Sequence, residues 1–124
     1  MTIETYDYES SADFPLSAAV RAGDFLFVSG LAGTGPDEKV VPGGVGAETH
    51  KIIEDLAKIL DLANANLKQV VRSGVFLTHA SDFDAFNEVY RQYFSEAPPS
   101  RTTVVSALTL EAAIEIDFTV YVGS

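Results

Sequence analysis

Apolar residues recur along this chain with two distinct periods. Between Ala47 and Asn64 the positions Ile52, Leu56, Ile59, Leu60 and Ala63 repeat at helical spacing, while Glu48, Lys51, Glu54, Asp55, Lys58 and Asp61 supply the polar side. That spacing predicts an amphipathic helix packed on one face, with Asn64-Ala65-Asn66 as its stop. A second helix is predicted after an N-cap at Ser81-Asp82. Its aromatic stripe of Phe83, Phe86, Val89, Tyr90, Tyr93 and Phe94 reads as core, and Pro98-Pro99 ends it. The other period is two. In the last stretch Ile114, Ile116, Phe118, Val120 and Val122 face one way, and Glu115, Asp117, Thr119 and Tyr121 the other. Further strands are predicted at Thr2 to Tyr6, at Ser17 to Arg21 and Phe25 to Ser29 about the turn Ala22-Gly23-Asp24, at Val70 to Thr78, and at Arg101 to Ser106. Leu31 to Gly46, with Gly33, Gly35, Gly43 and Gly44 beside Pro36 and Pro42, reads as a loop with a short strand at Lys39-Val40-Val41.

The order is strands, helix, strand, helix, strands. It predicts an α+β fold in which two helices cover one face of a mixed six-stranded sheet. With 124 residues, 47% of them hydrophobic, the chain has one domain's worth of core, spanning residues 1–124. The other sheet face would mix Ser17, Ser29, Thr103, Glu115 and Thr119 with apolar residues and has no helix left to cover it. Another copy of the chain is the simplest cover, so a homo-oligomer is expected.

Composition mainly excludes. Eighteen acidic against eight basic side chains leave a net charge of −10, a surface that repels nucleic acid and anionic membranes. No run of apolar residues is long enough to span a bilayer, and Met1 to Thr5 does not resemble a signal peptide, so a soluble, cytoplasmic protein is expected. Zero cysteines rule out disulfides, thiolate metal sites and a cysteine nucleophile. His50 and Glu54 have a spacing that can share a metal, but a solvated helix face is the preferred reading, and no metal is expected; His79 reads as a loop residue. The glycines of the long loop form no phosphate-binding signature, and no histidine–serine arrangement offers a hydrolase triad.

The chemistry concentrates near the C-terminus. Pro98-Pro99-Ser100-Arg101-Thr102-Thr103-Val104 and Ile114-Glu115-Ile116-Asp117-Phe118 offer one arginine and one carboxylate on what read as neighbouring extended segments. A guanidinium fork fits a carboxylate bidentately and a nearby glutamate relays protons, which suits a small acidic substrate that reacts with water. Two alternatives stay open. Arg101 can instead form a structural salt bridge to Glu115 or Asp117, and Asp117, on the same strand face, can exchange roles with Glu115.

Five segments in order carry a family resemblance. Phe14-Pro15-Leu16-Ser17-Ala18-Ala19-Val20, Phe25-Leu26-Phe27-Val28-Ser29-Gly30, Phe83-Asp84-Ala85-Phe86-Asn87-Glu88-Val89-Tyr90, Pro99-Ser100-Arg101-Thr102 and Ile114-Glu115-Ile116-Asp117 resemble the motifs of the Rid family of reactive-intermediate deaminases, also called YjgF-like. The resemblance implies a chorismate-mutase-like fold assembled as a homotrimer with ligand clefts between subunits. It implies hydrolysis of 2-imino acids to 2-oxo acids and ammonia, without metal or organic cofactor. Carried onto this chain, Arg101 would clamp the substrate carboxylate and Glu115 would position or activate water. Backbone groups around Ser29, Gly30 and Leu31 would hold the reacting end, with Thr103 and Asn87 nearby. The chain departs from the family at Leu16, where Tyr is frequent, at Leu31, where Gln is frequent, and at Thr103, where Cys is frequent. The two leucines make that part of the pocket more apolar. A second reading is a trimeric protein that binds small carboxylates without turnover; a ribonuclease activity is disfavoured by the acidic surface.

Overall fold

The computed structural model describes residues 3–123. Its strands are β1 (Ile3–Tyr6), β2 (Ala19–Ala22), β3 (Phe25–Ala32), β4 (Val70–Leu77), β5 (Ser100–Val105) and β6 (Ile114–Tyr121), and its helices are α1 (Gly44–Leu62) and α2 (Phe83–Tyr93). They form one six-stranded sheet in the order β1-β2-β3-β6-β4-β5. Every pairing is antiparallel except β4 with β5, which are parallel and joined across α2. A parallel pair needs such a crossover, and the Phe83–Tyr93 helix supplies it. The mixed sheet with two helices is the fold expected from the order of elements.

Period-two alternation decides which side chains meet the helices. Ile114, Ile116, Phe118 and Val120 of β6 are buried, as are Leu26 and Val28 of β3 and Val75 and Leu77 of β4. Against them α1 packs Ile52, Ile53, Leu56, Ile59 and Leu60, and α2 packs Phe86 and Tyr90. Each large aliphatic side chain buried this way stabilises the fold by about 1.5–3 kcal/mol. Gly33 lets the chain after β3 pass close to α1, since a Cβ there would stand 2.7 Å from the Glu48 Cα. The opposite face carries Phe25, Phe27, Val104 and Tyr121, all exposed. Phe25 stacks edge-on against Tyr121 at 5.6 Å. This open face is the one that the alternation left without a helix.

Several local expectations change. The strand expected from Thr2 begins at Ile3 among the described residues, Thr2 lying outside them. Helix α1 starts at Gly44 rather than Ala47, because a first turn has no intrahelical N–H bonds to lose and tolerates glycine there. Lys39 to Val41 makes a single bridge, Thr34 with Val40, instead of a strand. Asp82 precedes α2, but it continues a 3-10 turn (Ala80–Asp82) with near-helical dihedrals, so its carboxylate makes no cap hydrogen bond. Phe83, read as core, is exposed.

The polar side of α1 is also less uniform than its spacing implied. Glu48 and Asp55 are only 4% and 5% exposed. Each is buried with partners: Glu48 accepts the Ala113 N–H at 2.8 Å, and Asp55 pairs with Lys51 at 2.6 Å while accepting the Tyr8 hydroxyl at 3.1 Å. Burial pushes Glu48 above the usual carboxylate range. Through these two acids the loop before β6 and the turn Glu9–Asp13 are tied to α1.

Candidate functional site

Strand β5 pairs only with β4, so Arg101 sits on the edge of the sheet. In register Arg101 lies beside Ser73 and Thr103 beside Val75, both on the helix-covered face. Thr103 is therefore not on the open face, as the sequence had led one to expect. The Arg101 guanidinium rests on the aromatic stripe of α2, its Cζ 4.9 Å from the Tyr90 ring centroid, 5.0 Å from Phe86 and 5.7 Å from Phe83. Cation–π contact holds the flat group while leaving its N–H edges free. Tyr90 is fixed from behind by a 2.6 Å hydrogen bond between its hydroxyl and Ser73 Oγ, and burial raises its phenol above the ordinary tyrosine value.

Beside Arg101 opens a cavity of about 470 Å³ lined by Asn87, Tyr90, Arg91, Phe94 and the Pro98-Pro99 turn. Asn87 and Arg101, chosen separately from the sequence, thus share one cavity. Arg91 joins them. Sequence reading passed over it because the last turn of a helix so often carries a solvated cation; its four-residue spacing from Asn87 was the available signal. Among the described residues neither Arg91 nor Arg101 makes an ion pair. The structural salt bridge considered for Arg101 is absent.

A second, smaller cavity of about 150 Å³ brings together Leu16, Ser29, Gly30 and Leu31 from the β2–β3 side, closed behind by Tyr8 and Asp55. The Ser29 hydroxyl donates to the Ser17 carbonyl at 2.6 Å, and its backbone N–H to Ala18 at 3.0 Å. Glu115 stands in register with Ala32 and Phe76 on the open face, against Gly30. A Cβ on Gly30 would overlap the Glu115 carboxylate, with the carboxyl carbon 3.0 Å away. Burial first, and then the Asp117 charge, raise Glu115 above the usual carboxylate range. Asp117 faces Arg72 at 3.7 Å, whereas Glu115 makes no ion pair among the described residues.

The arginine and the glutamate are not on neighbouring strands, because β4 lies between β5 and β6. Alternation also sends Arg101 to the helix-covered face and Glu115 to the open one. Three strand spacings separate β3 from β5, about 14 Å at 4.7–4.9 Å each. Within one chain the sequence-chosen residues form two groups: Arg101, Thr103 and Asn87 at the β5 edge, and Leu16, Ser29, Gly30, Leu31 and Glu115 at β3. His50, weighed as a metal ligand, instead contacts the Tyr93 hydroxyl through Nδ1 at 2.7 Å, and His79 is an exposed loop residue. Among the described residues no cluster of three or more His, Cys, Asp or Glu side chains is placed to hold a metal. Among them, too, no helix is long and apolar enough to cross a membrane.

The profile of the family described as Endoribonuclease L-PSP matches residues 9–122. A RutC family protein of Pyrococcus abyssi is 38% identical over 109 residues, covering 86% of each chain. Reactive Intermediate Deaminase A, a chloroplastic protein of Arabidopsis thaliana, is 35% identical over 105 residues, covering 83% of this chain and 56% of its own. The crystal structure of RidA from an Antarctic Psychrobacter superposes with a TM-score of 0.87 at 31% identity, over 95% of this chain and 98% of that one. The chain belongs to the YjgF/Rid family.

Proposed function

We propose that this protein hydrolyses reactive 2-imino acids to 2-oxo acids and ammonia, in a site completed by a second copy of the chain. The carrying observation is a guanidinium braced on three rings, free of ion pairs among the described residues, at the mouth of a cavity. Its unspent donors suit a carboxylate bidentately. Apposing the β5 edge of one copy to the β3 cavity and Glu115 of another joins a carboxylate clamp to a proton acceptor. Such a contact uses different surfaces on the two partners, so it propagates until it closes as a ring, and a trimer is the ring the family resemblance implies. The exposed Phe25, Phe27, Val104 and Tyr121 give that assembly apolar surface to bury.

The chemistry needs no cofactor. Water adds to the iminium carbon while Glu115 takes its proton, giving a carbinolamine. That proton passes to the nitrogen, and Glu115 then accepts the hydroxyl proton as the C–N bond breaks, leaving a 2-oxo acid and ammonia. A carboxyl raised above its ordinary value by burial is, once ionised, a stronger base for this shuttle. Asp117, facing Arg72, is less available, which favours Glu115 over it. Arg101 supplies orientation, the larger part of what such a reaction asks of a protein. The ribonuclease activity in the family's name fits this chain less well, because a net charge of −10 opposes polyanion binding.

The test generates 2-imino acids in situ with an amino-acid oxidase and follows their loss by semicarbazide trapping. Accelerated decay with the wild type, abolished in Arg101→Ala, is expected. Equal decay with and without the protein overturns the reaction, and retained carboxylate binding would then favour the non-catalytic alternative.

A further inference from the structure

The cavity at the β5 edge contains more positive charge than a single carboxylate requires. Arg91 lines it from the last turn of α2 and Arg101 from β5, and no acidic side chain shares the lining. Half of the four arginines of a strongly acidic chain therefore converge on one opening. Neither is neutralised by an ion pair among the described residues. The carbonyl end of α2 favours a cation at Arg91, so the side chain is held near the mouth without an acidic partner. Asn87, one turn earlier on the same helix, adds an amide to the same lining.

We propose that Arg91 is a second anion clamp and that this cavity takes a ligand with two acidic groups, in the proposed reaction a 2-imino diacid. The inference rests on the imine reading for the reaction, and on the cavity alone for the binding. Arg101, held against the rings of α2, holds the carboxylate beside the reacting carbon. Arg91, exposed and on a flexible stem, meets the distal carboxylate, and Asn87 donates to either. A monoacid leaves Arg91 without a partner; a diacid satisfies both guanidinium groups. In the proposed assembly the apolar Leu16 and Leu31 of a second copy face the carbon chain between the two charges rather than select an apolar substituent. Arg91 acts here as a specificity residue, not as a catalytic one.

The decisive measurement compares 2-oxoglutarate with 2-oxopentanoate, stable product analogues of equal chain length, by calorimetric titration of the intact protein. The wild type is expected to bind the diacid about tenfold or more tighter, the effect of one charge-assisted contact. Arg91→Ala brings the ratio close to one, and Arg91→Lys keeps part of it, since lysine retains the charge but not the fork. Lys58→Ala, which removes the same charge from an exposed position on α1, keeps the wild-type ratio. Equal binding of both acids by the wild type, or a ratio unmoved by Arg91→Ala, overturns the proposal. Imines generated from glutamate and norvaline separate it from the reaction. If neither decays while Arg91→Ala still lowers the binding ratio, the diacid site stands and imine hydrolysis falls. If both decay with the same kcat/KM, hydrolysis stands and the diacid site falls.

Discussion

The cavity at β5 and α2 and the cavity at β3 and α1 are built on opposite plans. The first is walled by rings and prolines and holds two guanidinium groups whose donors have no ionic partner among the described residues. In the second, the polar groups satisfy one another: Tyr8 bonds Asp55, Asp55 pairs with Lys51, and Ser29 bonds the Ser17 carbonyl. One region keeps unpaired cationic donors and the other spends its polar groups on itself, while Glu115 stands across the sheet from it, on the open face against Gly30. Their difference teaches that free cationic donors and the half-buried Glu115 lie in separate parts of the chain, so the proposed reaction requires a second copy to unite them.

Removing the cation breaks the comparison most severely. Arg101→Ala is expected to lower kcat/KM for 2-imino acids by at least about a hundredfold, since a charge-assisted bidentate contact of roughly 1.5–3 kcal/mol is lost together with orientation. Its effect on unfolding should be far smaller, because a partly exposed cation–π contact contributes about 0.5–1 kcal/mol. Unfolding and kinetics measured on the same preparation separate the two. A variant that is inactive because it unfolds would return Arg101 to a structural role.

The support beneath that cation is the next target. Ser73→Ala leaves the buried Tyr90 hydroxyl without its 2.6 Å partner and should cost about 1–3 kcal/mol in denaturant unfolding. Adding Tyr90→Phe removes the orphaned hydroxyl, so the double variant is expected to recover most of that loss. Failure to recover would mean that the pair is not an isolated hydrogen bond but part of a wider network.

How much of this was legible in the sequence varies with the kind of information each residue carries. The sheet and both helices follow from apolar period, because Ile114, Ile116, Phe118 and Val120 or Ile52, Leu56 and Ile59 can be buried together in only one backbone geometry. Strand order does not follow from period. Nothing in the chain between Arg101 and Glu115 announces that β4, distant in sequence, inserts between their strands. The same limit hid Thr103, whose face depends on its register with Val75. Glu48 and Asp55 were read as solvated because their burial depends on partners, Ala113 and Tyr8, that lie 65 and 47 residues away. Asn87 and Arg101 were legible as chemistry; that they line one cavity, with Arg91 beside them, required the fold.

A finer change sharpens the comparison from the other side. In Gly30→Ala the new methyl group meets the Glu115 carboxylate, which must turn away. Forcing a side chain off its preferred rotamer costs about 0.5–1.5 kcal/mol, so activity should fall roughly two- to tenfold. Binding of 2-oxo acids at Arg101 should be unaffected. Steady-state kinetics beside product-analogue titration test this division, and a matching loss in both would show that the two cavities are not independent in the way described.

The smallest effect concerns the glutamate itself and is read through stability against pH. Burial, and then Asp117, raise Glu115, so the folded chain holds this proton more tightly than the unfolded chain does. Stability from such a group is fully present below the unfolded value, about pH 4.3 for glutamate, and is lost as pH rises through the higher folded value. Glu48, raised by burial, contributes a slope of the same sign. Glu115→Gln removes one of the two titrations. It should match the wild type near pH 4, exceed it in stability at neutral pH, and have a thermal midpoint that varies less between them, while losing the ability to accept a proton from water. A Glu115→Gln variant less stable than the wild type at neutral pH would mean that the carboxylate is held by a favourable partner, and a glutamate so held is not poised to take a proton.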